Sequence, residues 1–203
     1  MKKNKISKNW IKKQKKDFFV RKSKLEGYRS RAAYKLIEIN EKFNLIRNGM
    51  SILDLGGAPG SWSQYILNNY KNIRLLTIDL KEIKPINKAY QLKGDFTEIQ
   101  TRNRIKEYFG EKIDILLSDM AENTTGNKNL DVISTTELFK ESIYFSKEIL
   151  KKNGSFISKI FMGSTFEEII SLSKEIYEET RVFKPISSRK DSKENFIISR
   201  FLR

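Results

Sequence analysis

The chain has 203 residues, enough for one domain with a sizeable core and too few for a second catalytic domain. It contains neither cysteine nor histidine, which excludes disulfides, thiolate nucleophiles and the usual zinc sites and leaves Asp, Glu, Lys or Tyr as general bases. The formal charge is +15, and residues 1–28, with eleven Lys or Arg against Asp17 and Glu26, hold +9 of it. No apolar run approaches the roughly 18 residues of a membrane span and the N-terminus lacks the apolar stretch of a secretory signal, so a soluble, cytoplasmic protein is expected.

In the N-terminal stretch, Lys12-Lys13-Gln14-Lys15-Lys16 is followed by Phe18 and Phe19. Such a run can neutralise phosphates while the rings meet bases or pack on the domain, so nucleic acid is the expected partner, with a solubilising tail as the alternative. From Ser30 the pattern turns helical: Ala33, Leu36, Ile37 and Phe43 form an apolar stripe that Asn48-Gly49 stops. Lys35 flanks this stripe and reads, on spacing alone, as a solvated lysine. Next comes Ser51-Ile52-Leu53-Asp54-Leu55-Gly56-Gly57-Ala58-Pro59-Gly60-Ser61-Trp62-Ser63-Gln64, which predicts a strand, a tight loop and a helix. Glycines allow positive φ and leave no side chain between backbone and ligand, so the loop can wrap a nucleoside. A dinucleotide fingerprint needs glycine at its first, third and sixth positions; counted from Gly56 these are glycine, Ala58 and Ser61, which disfavours NAD.

Residues 73–78 predict a second strand ending at Asp79, and Tyr90-Gln91-Leu92 a short third one ending at Gly94-Asp95. Ligands of open parallel sheets lie beyond the carboxyl ends of the strands, which places Asp79 for ribose hydroxyls and Asp95 for the adenine side; a turn-forming role is the alternative for each. Thr97-Glu98-Ile99-Gln100 has the form of a capping box for a helix that stops at Gly110. Residues 113–118 then form a buried-strand pattern ending at Asp119, followed by the polar loop Asn123-Thr124-Thr125-Gly126-Asn127. Ser134-Thr135-Thr136-Glu137 predicts the cap of a helix carrying Leu138, Phe139, Ile143, Ile149 and Leu150 and ending at Asn153-Gly154. A fifth strand over residues 155–161 contains Lys159, and residues 164–167 cap a further helix. Residues 181–186 and 195–202 close the chain as two strands joined by a polar turn. The alternation of strand and helix predicts an α/β fold with an antiparallel hairpin at its end. An antiparallel last strand brings Glu194 to the sheet edge where Asp119 lies and close to Lys159.

The segments Ser30-Arg31-Ala32-Ala33-Tyr34-Lys35-Leu36, Asp54 to Gln64, Ser118-Asp119-Met120-Ala121, Ser158-Lys159-Ile160-Phe161 and Ser188-Arg189 through Glu194 resemble those of the FtsJ-like ribosomal RNA large-subunit uridine-2′-O-methyltransferases. The match runs from about Lys16 to the C-terminus. The resemblance implies a Rossmann-like class I methyltransferase domain over residues 29–203, with a mostly parallel seven-stranded sheet, an antiparallel last strand and helices on both faces. Residues 1–28 are then a basic RNA-binding extension. It further implies S-adenosylmethionine as cofactor, with Asp54, Gly56, Gly60, Trp62, Asp79, Asp95 and Asp119 as cofactor-binding positions and no metal. The family's Lys-Asp-Lys-Glu tetrad falls on Lys35, Asp119, Lys159 and Glu194, with Lys159 as proton acceptor. The expected partner is ribosomal RNA within the large subunit, the expected state a monomer. Two positions depart from the bacterial pattern: Ser61 stands at a usual glycine and Glu122 at a usual proline. Rival readings are a 2′-O-methyltransferase of transfer RNA or an mRNA cap, a non-catalytic RNA-binding module on the same fold, and a base N-methyltransferase, which typically carries two prolines where this chain has Met120-Ala121.

Overall fold

A computed structural model describes residues 17–120 and 128–203, the latter by backbone alone for 128–131. The lysine run of residues 12–16, Glu122 and the polar loop of residues 123–127 lie outside the described residues. Helices α1 (Phe18–Leu25) and α2 (Ala33–Phe43) precede strand β1 (Ser51–Leu55) and helix α3 (Ser61–Asn69). Strands β2 (Arg74–Asp79) and β3 (Ala89–Lys93), helix α4 (Ile99–Phe109), strand β4 (Ile113–Ser118) and helix α5 (Lys128–Ile149) follow. Strand β5 (Leu150–Phe161), helix α6 (Phe166–Ile176) and strands β6 (Tyr177–Phe183) and β7 (Glu194–Leu202) complete the chain.

The strands form one seven-stranded sheet in the order β3-β2-β1-β4-β5-β7-β6. Neighbours are parallel except that β7 runs antiparallel to both β5 and β6, as the short final connection predicts. Alternate residues of each central strand feed two cores. Leu53, Leu55, Leu76, Ile78 and Leu116 pack on one face with Phe109, Phe139 and Ile169 from α4, α5 and α6. Ile52, Leu75, Ile115 and Leu117 pack on the other with Leu36, Ile39, Tyr65 and Ile66 from α2 and α3. Burial on both faces explains why these strands read as continuous apolar runs.

Several boundaries differ from the local signals, each for a physical reason. Helix α2 ends at Phe43 because Asn44 adopts the left-handed conformation and the Asn40 side chain accepts from Leu45 and Ile46 N–H, ahead of Asn48-Gly49. The capping box before α4 does not form: the Thr97 hydroxyl and amide both donate to the Asp95 carboxylate, and Glu98 becomes the N-cap with its side chain accepting from the Thr101 hydroxyl rather than from a helix N–H. Residues 134–137 lie inside α5, where the Thr136 hydroxyl donates to the Val132 carbonyl one turn back. Helix α5 stops at Ile149, and β5 begins at once with an irregularity opposite residues 113–115 of β4. At the other end of the chain, α1 lies on α2: Phe19 and Tyr34 rings are 5.3 Å apart, and the Tyr34 hydroxyl donates to Glu26 at 2.8 Å. Phe18 is 61% exposed, so the two N-terminal phenylalanines divide between solvent and domain.

Candidate active site

The register of the sheet decides the site. Glu194, first residue of β7, pairs with Phe161 at the carboxyl end of β5, and Lys159 pairs with Phe196 two residues in. Asp119 follows β4 directly, its N–H donating to the Leu55 carbonyl at the end of β1. Lys35, in the first turn of α2, reaches the same rim and donates to Glu194 Oε2 at 2.8 Å, with Asp119 Oδ2 at 3.4 Å. Lys159 Nζ lies 3.0 Å from Asp119 Oδ1 and donates to the Asp119 main-chain carbonyl at 2.5 Å. Glu194, Lys35, Asp119 and Lys159 thus form one alternating chain of charge. The Lys35 side chain is only 13% exposed, so the solvated reading is corrected: partners distant in sequence supply what burial requires.

The electrostatics agree with the pairing. Burial opposes the charge of Lys35, but Asp119 and Glu194 outweigh it and hold its pKa above the ordinary lysine value. Burial likewise opposes ionisation of Asp119, and Lys159 and Lys35 overcome it, holding the carboxyl below its ordinary range. The site therefore stays ionised across neutral pH at Lys35 and Asp119.

A cavity of about 670 Å³ opens beside the cluster, lined among others by Gly56, Asp79, Asp95, Met120, Asp119 and Lys159. Its volume suits a small-molecule ligand. Gly56 has φ +73°, and a Cβ there would stand 2.6 Å from the Met120 side chain, so only glycine lets the two loops meet.

A model of the FtsJ-like methyltransferases matches residues 28–201. The chain belongs to the FtsJ-like methyltransferase family. A protein named ribosomal RNA large subunit methyltransferase E in Pelagibacter ubique is 57% identical over the full length of both chains. One of the same name in Rickettsia akari is 43% identical over 94% of this chain and 87% of its own. A Plasmodium falciparum crystal structure described as a ribosomal RNA methyltransferase superposes with a TM-score of 0.78 at 32% identity, covering 86% of this chain and 98% of its own.

In this FtsJ-like methyltransferase the remaining candidate positions separate into two groups. Asp79 and Asp95 line the large cavity, although each also shapes its loop: Asp79 accepts from Ala58 N and Lys81 N, and Asp95 from Thr97. Asp54, Gly60 and Trp62 are not among its lining residues. Gly60 (φ +103°) packs against Ile86 and Arg29, while Trp62 donates to the Ala32 carbonyl at 2.8 Å and lies beside Phe196. Asp54 is buried, accepts from the Ser63 hydroxyl at 2.7 Å and faces Thr77, and its Oδ1 has no hydrogen-bond partner among the described residues. Burial pushes its pKa up to about 7, Asp119 and Asp79 adding to the rise against the hydrogen bonds from Ser63 and Thr77. Asp54 and Trp62 line a smaller cavity of about 20 Å³ that shares Gly56, Ala58 and Asp119 with the large one. The departure at Ser61 has a role in this arrangement, since its hydroxyl pairs with that of Ser30 at 2.7 Å.

Sequence reasoning missed the supports. The Ser188 hydroxyl donates to Glu194 Oε1 at 2.7 Å, fixing the carboxylate that Lys35 holds from the other side. Arg29 donates to the carbonyls of Pro59, Lys84 and Pro85, tying the entry to α2 onto the glycine loop. Ser188 opens one of the segments that carry the resemblance, but no role was assigned to it; nothing local marks Arg29.

Proposed function

We propose that this chain transfers the methyl group of S-adenosylmethionine to the 2′-hydroxyl of a uridine in large-subunit ribosomal RNA. The observation that carries the reading is the ion-paired cluster Lys35, Glu194, Asp119 and Lys159, with Asp119 and Lys159 also lining the large cavity. The names of the relatives support ribosomal RNA as the substrate class. The cavity fits the cofactor in size, its rim carboxylates Asp79 and Asp95 suit hydroxyl and amine groups, and the bare Gly56 backbone permits close approach. S-adenosylmethionine, when bound, supplies an electrophilic methyl on a sulfonium.

The chain's own residues then place and deprotonate the attacking hydroxyl. Two acceptors, the Asp119 carboxylate and carbonyl, hold Lys159 Nζ and leave one position on the nitrogen for the ribose oxygen. On a protonated Lys159 that position donates to the ribose oxygen and orients it; on the free amine it is the lone pair, which takes the hydroxyl proton as the oxygen bonds to the methyl carbon and the carbon–sulfur bond breaks to leave a neutral thioether. Lys35 keeps Asp119 oriented and balances its charge, and Glu194 in turn holds Lys35. Positioning of two bound reactants contributes most of the acceleration.

Lys159→Ala is expected to lower methyl transfer by about 100-fold or more with an unchanged circular dichroism spectrum; near wild-type turnover removes Lys159 from the chemistry. Mapping 2′-O-methyl positions on ribosomal RNA from cells with and without the protein tests the substrate. Loss of one uridine methylation in the large-subunit RNA is the expected result, and loss of none overturns the ribosomal reading.

A further inference from the structure

Arg29 lies in the link between α1 and α2, outside the ion-paired cluster, and its guanidinium is engaged by main chain on two separate segments. Nη1 donates to the Pro59 carbonyl at 2.9 Å and to the Lys84 carbonyl at 2.6 Å, and Nη2 donates to the Pro85 carbonyl at 2.6 Å. Pro59 belongs to the glycine loop after β1, whereas Lys84 and Pro85 belong to residues 80–88, which join β2 to β3. Both segments bound the large cavity: Gly56 and Ala58 line it from the first, Leu80 and Lys81 from the second. At their base the two walls already meet, since Gly56 N and Gly57 N donate to the Ile78 carbonyl. Arg29 joins them again further out, without lining the cavity itself.

The surroundings of Arg29 hold it to this task. The Gln64 side chain of α3 accepts from Arg29 N at 3.0 Å and donates to the Gly27 carbonyl at 2.8 Å, fixing the link on both sides of Tyr28. Gly60 makes the room: a Cβ there would stand 3.0 Å from Arg29 Nη1 and 2.6 Å from Ile86 Cδ1, so the loop closes on the guanidinium only with glycine at this position. Residues 83–86 have a frame of their own, because Gln91 of β3 donates to the Ile83 and Lys84 carbonyls and accepts from Ile86 N. What Arg29 adds is the connection of that frame to the glycine loop.

We propose that Arg29 is a positioning residue of the methyl-donor site, which sets the spacing of the two walls that grip the adenosine part of S-adenosylmethionine. The proposal rests on the reading of the large cavity as the donor site. A pocket whose walls are fixed beforehand binds more tightly than one the ligand must order. Because the guanidinium acts on the walls and not on the charged end of the ligand, its loss weakens S-adenosylmethionine, its thioether product and adenosine by the same factor. A residue that bound the donor's own carboxylate would affect the first two and spare adenosine.

Isothermal titration of the full chain with each of the three ligands, in the absence of RNA, separates these outcomes. For Arg29→Gln we expect Kd to rise about tenfold for all three, with the stoichiometry unchanged. Arg29→Lys is expected to recover part of the loss, since an ammonium can reach the same carbonyls but lacks the planar fork. In methyl transfer by Arg29→Gln, KM for the donor is expected to rise while kcat stays within about twofold. Arg104→Gln removes the same charge from an exposed position of α4 and is expected to change nothing. The proposal is overturned if the adenosine Kd is unchanged, if only the stoichiometry falls, which is a loss of folded protein, or if Arg104→Gln matches the effect. Hydrogen exchange of the ligand-free protein judges the tie by itself: in Arg29→Gln it is expected to quicken at residues 56–60 and 80–88, and unchanged exchange there rejects the tie. Failure of the wild-type chain to bind S-adenosylmethionine rejects the donor-site reading instead.

Discussion

Asp54 shows how a single buried group can report on the whole loop. Its folded pKa, raised to about 7, exceeds the 3.8 of the unfolded chain, so the folded state binds the extra proton between those values. The stabilisation this contributes is complete below pH 3.8 and is lost as pH rises through 7. Asp54→Asn removes the titration, and its stability relative to wild type is expected to improve by more than about 1.4 kcal/mol, one pKa unit, between pH 5 and pH 8. Urea unfolding at the two pH values measures this, and an unchanged difference shows that Asp54 is ionised in the fold. Asp119 behaves with the opposite sign: its lowered pKa gives stability that is present above 3.8 and lost as pH falls through the folded value. Lys35→Ala leaves Asp119 and Glu194 as neighbouring buried carboxylates, with a cost of about 3 kcal/mol at neutral pH. The same urea experiment should show the loss, together with acid unfolding that starts at higher pH.

At the level of elements, the junction of α5 and β5 is where local signals and structure part most. Asn153-Gly154 has the composition of a helix stop, yet it sits within β5 at the irregularity facing β4. A Cβ on Gly154 would lie 2.8 Å from the Lys151 carbonyl and 3.2 Å from that of Asp114, so glycine is required by backbone approach. Asp114 anchors the same corner, accepting from Ser51 N at 2.8 Å and pairing with Lys151 at 2.8 Å. Gly154→Ala is therefore expected to destabilise the domain by about 1–3 kcal/mol, read as a lowered urea midpoint with methyl transfer per folded molecule unchanged. The misread caps share one cause. Ser, Thr and Asp hydrogen-bond wherever a partner is offered, and here Asp95 captures Thr97 while Thr136 bonds Val132 and Thr165.

For the whole molecule, charge and topology act on different functions. The eight lysines of residues 1–16 make up most of the N-terminal surplus. Removing those residues is expected to weaken RNA binding and flatten its salt dependence by several counterions, with the thermal unfolding midpoint unchanged; an unaltered salt slope rejects the segment as the RNA-binding extension. The alternating fold, the strand that carries Asp54 and the glycine loop were legible from residue order, because periodic burial and turn chemistry act over a few neighbours. The resemblance supplied the tetrad's identities, and the expected antiparallel last strand already put Glu194 at the sheet edge of Asp119 and Lys159, but neither gave the reach of Lys35 or the pairing of charges. Lys35 reaches Asp119 across 84 positions and Glu194 across 159, and no local pattern carries that information. It is the antiparallel seating of β7 against β5 that carries Glu194 to the carboxyl-end rim. Only there can two lysines and two carboxylates leave water together, because each meets the opposite charge that makes its burial affordable.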